Sequence, residues 1–189
     1  MPIVMHFFGS LANSQRSQST ISLRRQADLS NEELFAATTI NSWNAMASRL
    51  EKTLSSLSDN ELQLEVAPGR NRVYYILAHL TAFQDRLLHQ LGLGERLYPE
   101  LDDLFINKPD RSYEDAFTGA ELRRFFAEIT SKVSSGIQAM PPADLLKRHE
   151  SISEQDSAKS PLRNRLAALN GAMAHMMLHV GQIRLVLKT

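Results

Sequence analysis

The sequence contains no cysteine among its 189 residues. This absence excludes disulfide bonds, cysteine nucleophiles, iron–sulfur clusters and every zinc site that uses a thiolate ligand. Histidine, aspartate and glutamate are then the only strong ligands that the chain offers to a transition metal. Chemistry that involves a thiol would need that thiol from a bound small molecule.

The sequence also lacks net charge, because its 21 Lys and Arg residues balance its 21 Asp and Glu residues. A protein without a basic surplus has no bulk field with which to hold nucleic acid. No apolar run approaches the roughly 18–20 residues that cross a bilayer. The apolar start at residues 1–8 has no basic segment before it, which is untypical of a secretory signal. We therefore expect a cytoplasmic protein with neither a nucleic-acid nor a membrane partner.

Strand-like alternation of Val, Ile and Thr is scarce, whereas apolar residues recur at three- and four-residue steps from residue 31 onward. This periodicity predicts four helices, at about residues 31–58, 71–91, 112–140 and 160 to the C-terminus. Helices of this number and length typically form a four-helix bundle, so the predicted fold class is all-α. Residues 1–30 are predicted to form an N-terminal arm that is flexible or mediates association, and residues 31–189 the bundle domain.

Three helix starts are predicted from capping residues. Ser30 should cap the first helix, with Glu33 at the capping-box position. Ser112 is the predicted cap of the third helix. Ser160 is the predicted cap of the fourth, because Pro161 then occupies the favoured first helical position.

Two predicted connections, residues 92–111 and 141–160, are longer than most loops in helix bundles. At about 3.3 Å per extended residue, roughly twenty residues can return along the length of a helix. Either connection could therefore join two helices that run in the same direction.

Three of the six histidines lie in the interior of predicted helices. His175 and His179 are four residues apart, so they share one helix face and both imidazoles can reach one ion. His79 lies midway along the second helix, among apolar residues that should face inward. These three histidines predict a metal site between facing helices. About 0.2 histidine pairs at this spacing are expected by chance, so the alternative is three imidazoles hydrogen-bonded in a dry core.

Two polar residues lie near these histidines in the sequence. Gln182 follows His179 by three residues and could hydrogen-bond a substrate or a ligand, although polarity at a helix end explains it equally well. Tyr75 precedes His79 by four residues and could reach the same cavity, or be an ordinary buried tyrosine with a polar tip. Small residues leave room beside the histidine pair or allow close helix packing; they are Ala168, Gly171 and Ala172.

The segment from His175 to His179 has no glutamate directly after its first histidine, so it does not match the helix of a zinc peptidase. The sequence also lacks a phosphate-binding loop, a dinucleotide fingerprint and a serine nucleophile elbow. Three neutral imidazoles would leave a coordination position open, as in catalytic metal sites. An ion there can activate water for hydrolysis or hold an external thiol as its thiolate. Because ligand histidines must be neutral, metal affinity is expected to fall as the pH drops through about 6.5.

Three segments resemble the DinB-like (DinB/YfiT) superfamily: NRVYYILAHL at residues 71–80, LHQLGLGERLYPE at 88–100 and HMMLHVGQI at 175–183. The resemblance extends from about residue 31 to the C-terminus, and the family's three ligand positions are matched by His79, His175 and His179. It implies a four-helix bundle with up-down-down-up connectivity. It also implies a three-histidine site for a divalent metal ion, with zinc or nickel first and iron or manganese next.

The activities known in this family suggest what the protein does. They include transfer of a thiol of the bacillithiol or mycothiol type, thiol-dependent isomerisation and hydrolysis. The resemblance therefore implies a metal-dependent enzyme, a transferase or hydrolase with a small-molecule substrate, and a homodimer. The alternative is a non-enzymatic stress-response or ligand-binding module with a structural or vestigial metal site. No residue is assigned a catalytic role beyond the ligands, because fold does not select among these activities.

Overall fold

The computed structural model describes residues 29–187, and within them it contains seven α-helices and no β-strand. The helices are α1 (Asn31–Ser55), α2 (Asp59–Leu62), α3 (Val73–Gln90), α4 (Leu101–Phe105), α5 (Gly119–Ala139), α6 (Glu154–Lys159) and α7 (Arg165–Arg184). A short 3-10 helix, Pro142–Leu146, follows α5. The predicted all-α bundle is confirmed, with α1, α3, α5 and α7 as its long helices. Both long connections contain short helices that the sequence did not predict.

Helices α3 and α5 run in the same direction. Near their N-terminal ends, the Tyr74 hydroxyl donates a hydrogen bond to the Phe117 carbonyl at 2.9 Å. Further along both helices, Thr130 Oγ1 donates to Gln84 Oε1 at 2.8 Å. The connection between α3 and α5 is therefore the crossover, because it must return along the length of the bundle.

Helix α1 runs opposite to α5. Trp43, in the middle of α1, donates a hydrogen bond from Nε1 to Ser134 Oγ at 3.0 Å. At the C-terminal end of α1, the Leu54 carbonyl accepts a hydrogen bond from Arg123 Nε, which lies near the start of α5. Trp43 is fully buried, and its indole therefore fills the core between these helices while its only polar atom is satisfied.

Helix α7 runs opposite to α3. Gln84 of α3 contacts Met176 of α7, whereas the earlier His79 lies beside the later His179. Helices α1 and α3 each pack against both α5 and α7, so α1 and α3 occupy diagonal positions. Since α3 and α5 run in the same direction and α1 and α7 run opposite to them, the bundle has up-down-down-up connectivity. This confirms the arrangement that the family resemblance implied.

The first predicted cap is confirmed and the second is wrong. Ser30 Oγ accepts a hydrogen bond from the Glu33 amide, and the Glu33 carboxylate accepts one from the Ser30 amide. The third long helix does not begin after Ser112. It begins at Gly119, where Thr118 and Glu121 form the same reciprocal capping box.

The prediction that α7 follows Ser160 is also wrong. The helix begins at Arg165, and the Asn164 side chain accepts a hydrogen bond from the Ala167 amide at 2.9 Å. The Arg165 amide donates to the Lys147 carbonyl at 3.0 Å, which ties the start of α7 to the end of the preceding 3-10 helix. The four residues after Ser160 therefore form a turn instead of the first helical turn.

None of the helices between residues 29 and 187 is both long enough and apolar enough to cross a membrane. The predicted N-terminal arm, residues 1–30, lies almost wholly outside the described part of the chain, so its role stays a prediction.

Candidate metal centre

The three predicted histidines converge between α3 and α7. His79 Nε2 lies 3.3 Å from His175 Nε2, and His179 Nε2 lies 3.0 Å from the same atom. The possible ligand atoms of the three rings all lie within 4.8 Å of one another, and the rings are partly buried. Within residues 29–187 they form the only group of three or more acidic or histidine side chains with this spacing. His89 and His149 lie elsewhere, and His6 is outside the described residues.

The outer nitrogens of two of these rings have fixed partners. His79 Nδ1 lies 2.7 Å from the Phe105 carbonyl oxygen, at the end of α4. His179 Nδ1 lies 2.7 Å from Gln182 Oε1, one turn further along α7. Both partners are acceptors, so each Nδ1 must carry the proton and donate it. The neutral rings of His79 and His179 therefore present a lone pair at Nε2.

The inner nitrogens have fewer protons among them than lone pairs to satisfy. The lone pairs of His79 and His179 both point at Nε2 of His175, which carries at most one proton as a neutral ring. That proton can satisfy only one lone pair well, which makes a purely hydrogen-bonded core a poor explanation of the cluster. A cation among the three nitrogens would accept all three lone pairs at once, and outer partners of this kind are typical of metal-ligating histidines.

Burial keeps these imidazoles neutral. Loss of water contact lowers the pKa of His79 and of His179, although the hydrogen bonds from their Nδ1 atoms partly oppose this. Burial, followed by the neighbouring rings of His179 and His79, lowers the pKa of His175 to about 4. The neutral form is the one that ligates a metal. The pH range in which ligation should fail therefore lies below the value of about 6.5 expected from an unperturbed imidazole.

The lowered pKa of His175 predicts a pH-dependent stability for the protein in a chelator. An unfolded histidine titrates near about pH 6.5, and the folded one near about 4. Between these values the unfolded chain binds a proton that the folded chain does not, so stability present above pH 6.5 is lost as the pH falls toward 4. After a discount for the partial exposure of the ring, we expect a loss of about 1.5 kcal/mol, or about 3–6 °C in melting temperature.

Thermal unfolding between pH 7 and 4.5 measures this loss. The His175→Gln variant should lose less stability than wild type over this range, and the matched His89→Gln variant should follow wild type. If the melting temperatures of wild type and His175→Gln depended on pH in the same way, the lowered pKa of His175 would be contradicted.

Aromatic rings surround the cluster and limit its contact with water. The Tyr75 ring stacks on His79, with 5.9 Å between the centroids and 19° between the planes. The Phe83 ring lies 4.7 Å from the His79 ring and 4.6 Å from the His175 ring. The Tyr75 ring thus reaches the histidines, whereas its hydroxyl donates to the Lys108 carbonyl at 2.9 Å, as in ordinary packing of a buried tyrosine.

The sequence model of the DinB superfamily matches residues 42–183, which include all three histidines and Gln182. The chain belongs to the DinB superfamily. The match contains α3 and α5 completely, α7 up to its penultimate residue and α1 from its middle onward, so it reaches all four long helices of the DinB bundle.

The fold of this DinB chain is also found in a solved structure. A crystal structure described as the conserved protein of locus from Enterococcus faecalis has a TM-score of 0.54 to this chain. The two sequences are 18% identical, and the alignment covers 79% of this chain and 95% of the other. At this identity the likeness concerns the DinB fold alone. No curated protein matches the chain.

The sequence indicates only one of the two hydrogen bonds that orient histidines of this DinB site. The spacing of Gln182 predicted a hydrogen bond to a substrate or a ligand, and three-residue spacing on a helix does place its Oε1 beside His179 Nδ1. The Phe105 carbonyl has no sequence signal, since every residue carries one and only the tertiary fold brings this one to His79.

Proposed function

We propose that His79, His175 and His179 bind one divalent metal ion, and that the protein is a metal-dependent enzyme that acts on a small molecule. The observation that carries this proposal is the convergence of three Nε2 atoms while Phe105 and Gln182 engage the outer nitrogens. A structural core would not need two rings held with lone pairs directed at a third.

The spacing and chemistry of the ligands fit a first-row transition metal. Zn–N bonds of about 2.0–2.1 Å place the nitrogens of a tetrahedral site about 3.3 Å apart. Two of the three nitrogen separations, 3.3 and 3.0 Å, lie close to this value. Imidazole suits zinc, nickel and iron, whereas magnesium and calcium prefer oxygen ligands. We therefore propose zinc or nickel, with iron or manganese as the next candidates.

The bound ion would supply an open coordination position at which water or a thiol loses its proton near neutral pH. The chain's own residues hold the three imidazoles neutral and oriented and keep water away from one side. The histidines themselves are poor proton acceptors in this arrangement, because each Nε2 is a ligand and the Nδ1 atoms of His79 and His179 already carry protons. The proton of the nucleophile would leave to solvent or to the substrate.

A thiol-dependent transfer is the first candidate reaction and hydrolysis is the second. The chain has no cysteine, so the thiol would be a low-molecular-weight cofactor. Membership of the DinB superfamily supports this class of reaction but does not choose between a thiol and water as the nucleophile.

Conjugation of monochlorobimane with L-cysteine tests the transferase. Wild-type protein loaded with Zn²⁺ or Ni²⁺ should accelerate conjugation only when both metal and thiol are present. His175→Ala should lose this acceleration and His89→Ala should keep it, because His89 is an exposed residue near the end of α3 and lies outside the cluster.

The other outcomes separate the remaining functions. Metal-dependent cleavage of p-nitrophenyl acetate without a thiol requirement would indicate the hydrolase. A lower melting temperature after chelation, with neither reaction, would indicate a structural ion in a ligand-binding module, since an ion that binds only the folded state adds to its stability. Conjugation that needs neither metal nor thiol would contradict the transferase.

Two further properties stay predictions from the resemblance and the composition. A homodimer is expected, and sedimentation of the full chain measures it. A cytoplasmic location is expected, and fractionation of the source cells measures it.

A further inference from the structure

A cavity of about 230 Å³ lies between α3 and α7 beside His175. Next to His175 and Met176, its α7 wall consists of three small residues, Ala168, Gly171 and Ala172. A Cβ atom placed on Gly171 would meet no other atom within 4 Å, so this wall is open space and not tight helix packing. Apolar side chains of α3, including Phe83, form the opposite wall. Because a cavity of about 150 Å³ holds benzene, this one can hold a somewhat larger molecule.

One buried polar group in this wall lacks a strong partner. Gln84 is only 2% exposed, and its Oε1 accepts a hydrogen bond from Thr130 Oγ1. Its Nε2 donates to the thioether of Met176 at 2.9 Å, and no other partner for Nε2 is found among residues 29–187. A thioether is a weak acceptor, and an amide nitrogen has two hydrogens to donate. Gln84 lines the cavity, so its Nε2 is a buried donor at this wall, for which an oxygen acceptor would be a better partner than the thioether.

The mouth of the cavity is close to neutral. Arg86 lies there, but its Nη2 is 2.9 Å from Asp102 Oδ2, and its Nε donates to the same carboxylate. A charged carboxylate or phosphate would compete with Asp102 for this guanidinium. An uncharged oxygen that accepts from Gln84 competes only with the weakly accepting thioether of Met176.

We infer that this cavity is a substrate subsite for a small, uncharged, largely apolar molecule whose carbonyl or ether oxygen accepts a hydrogen bond from Gln84 Nε2. The inference rests on the proposed function, because the reacting end of that molecule would lie toward His175 and the metal. Gln84 would then determine specificity: it favours an oxygen-bearing molecule over an equally shaped hydrocarbon. The apolar walls contribute affinity for either molecule.

The test compares two probes of nearly equal shape, acetophenone and α-methylstyrene, which differ by a carbonyl oxygen in place of a methylene group. Their dissociation constants are measured by ligand-observed NMR with the full chain in EDTA, so that neither probe can bind a metal. Wild type should bind acetophenone about five- to tenfold more tightly, the ratio expected from one net hydrogen bond. Equal constants for the two probes in wild type would overturn the inference.

Variants assign the preference to Gln84. Thr130→Val keeps the Nε2 donor and should keep the preference. The double variant Gln84→Leu with Thr130→Val should abolish it, and replacing both partners of a buried hydrogen bond by apolar groups preserves stability better than replacing one. Persistence of the preference in the double variant would overturn the inference.

A second pair of variants tests the cavity itself and does not depend on the fate of Gln84. Gly171→Leu should fill the cavity and weaken the binding of both probes at least about tenfold. Gly181→Leu is the matched control, because Gly181 also lies on α7 with open space at its Cβ but does not line the cavity. Equal affinities in these two variants would overturn the inference. Since every measurement is made in EDTA, a failure of the subsite is distinguishable from a failure to bind metal.

Discussion

Replacement of His175 by alanine is expected to reduce the bound divalent metal from about one ion per chain to nearly none. Nε2 of His175 is the atom that both other Nε2 atoms approach, at 3.3 and 3.0 Å. Its loss leaves two ligands, and two imidazoles do not hold zinc or nickel against dialysis. The measurement is elemental analysis of protein that has been loaded with Zn²⁺ or Ni²⁺ and then dialysed.

Two further variants should reduce metal binding less than His175→Ala does. Gln182→Leu should weaken metal affinity by about 10–100-fold, because Gln182 orients His179 without touching the ion. His89→Ala should bind like wild type. Competition with a chelator of known affinity measures the metal affinity of each of these three variants. Equal metal content in wild type and His175→Ala, or none in wild type, would contradict the site.

The second large effect is expected on stability, from Asp85→Ala. Asp85 is fully buried on α3, and its carboxylate accepts hydrogen bonds from the amides of Leu97 and Tyr98 at 2.7 and 3.2 Å. It also accepts one from Arg96 Nε at 2.9 Å. Alanine would leave two main-chain donors without their partner and break an ion pair with a buried member. We expect a loss of about 3–5 kcal/mol in the free energy of unfolding, measured by urea titration.

Asp103→Ala is the matched control for this variant. Asp103 lies on α4 and is exposed, so its removal should change the free energy of unfolding by no more than about 0.5 kcal/mol. Hydrogen exchange should also quicken at residues 91–100 in Asp85→Ala, because the carboxylate holds that segment to α3. A loss below about 1 kcal/mol would show that the segment is held by its other contacts.

The fold was predictable wherever local chemistry decides it, and the two wrong helix starts show where it was not. Ser112 is followed three residues later by Asp115, which resembles a cap. In the folded chain the Asp115 carboxylate is instead paired with the buried Arg72 at 2.9 Å. The Thr118–Glu121 box six residues later starts the helix. The sequence therefore offered two local signals six residues apart, and the second, in which Glu121 completes a capping box, starts the helix while Asp115 pairs with Arg72.

The sequence predicted the three candidate ligands, but it predicted neither the main-chain carbonyl that orients His79 nor the buried donor beside the cavity. The four-residue spacing of His175 and His179 fixes a shared helix face before any tertiary contact forms. The position of His79 opposite them depends on the direction in which α3 and α7 pack, which the sequence indicated only through the family resemblance. The cavity donor Gln84 gave no signal, because a glutamine in an apolar helix face is explained equally well by a partner in the core.

The carbonyl of Phe105 that orients His79 belongs to the main chain, and this has a consequence for how the protein tolerates change. Another large apolar residue at position 105 should preserve the imidazole orientation, because it leaves the oxygen where α4 places it. An insertion or deletion between Leu91 and Phe105 would shift the Phe105 carbonyl oxygen relative to α3. The His79 ring would then lose the partner that orients it and turn away. Relatives that keep this centre should therefore vary in composition across the crossover more readily than in its length.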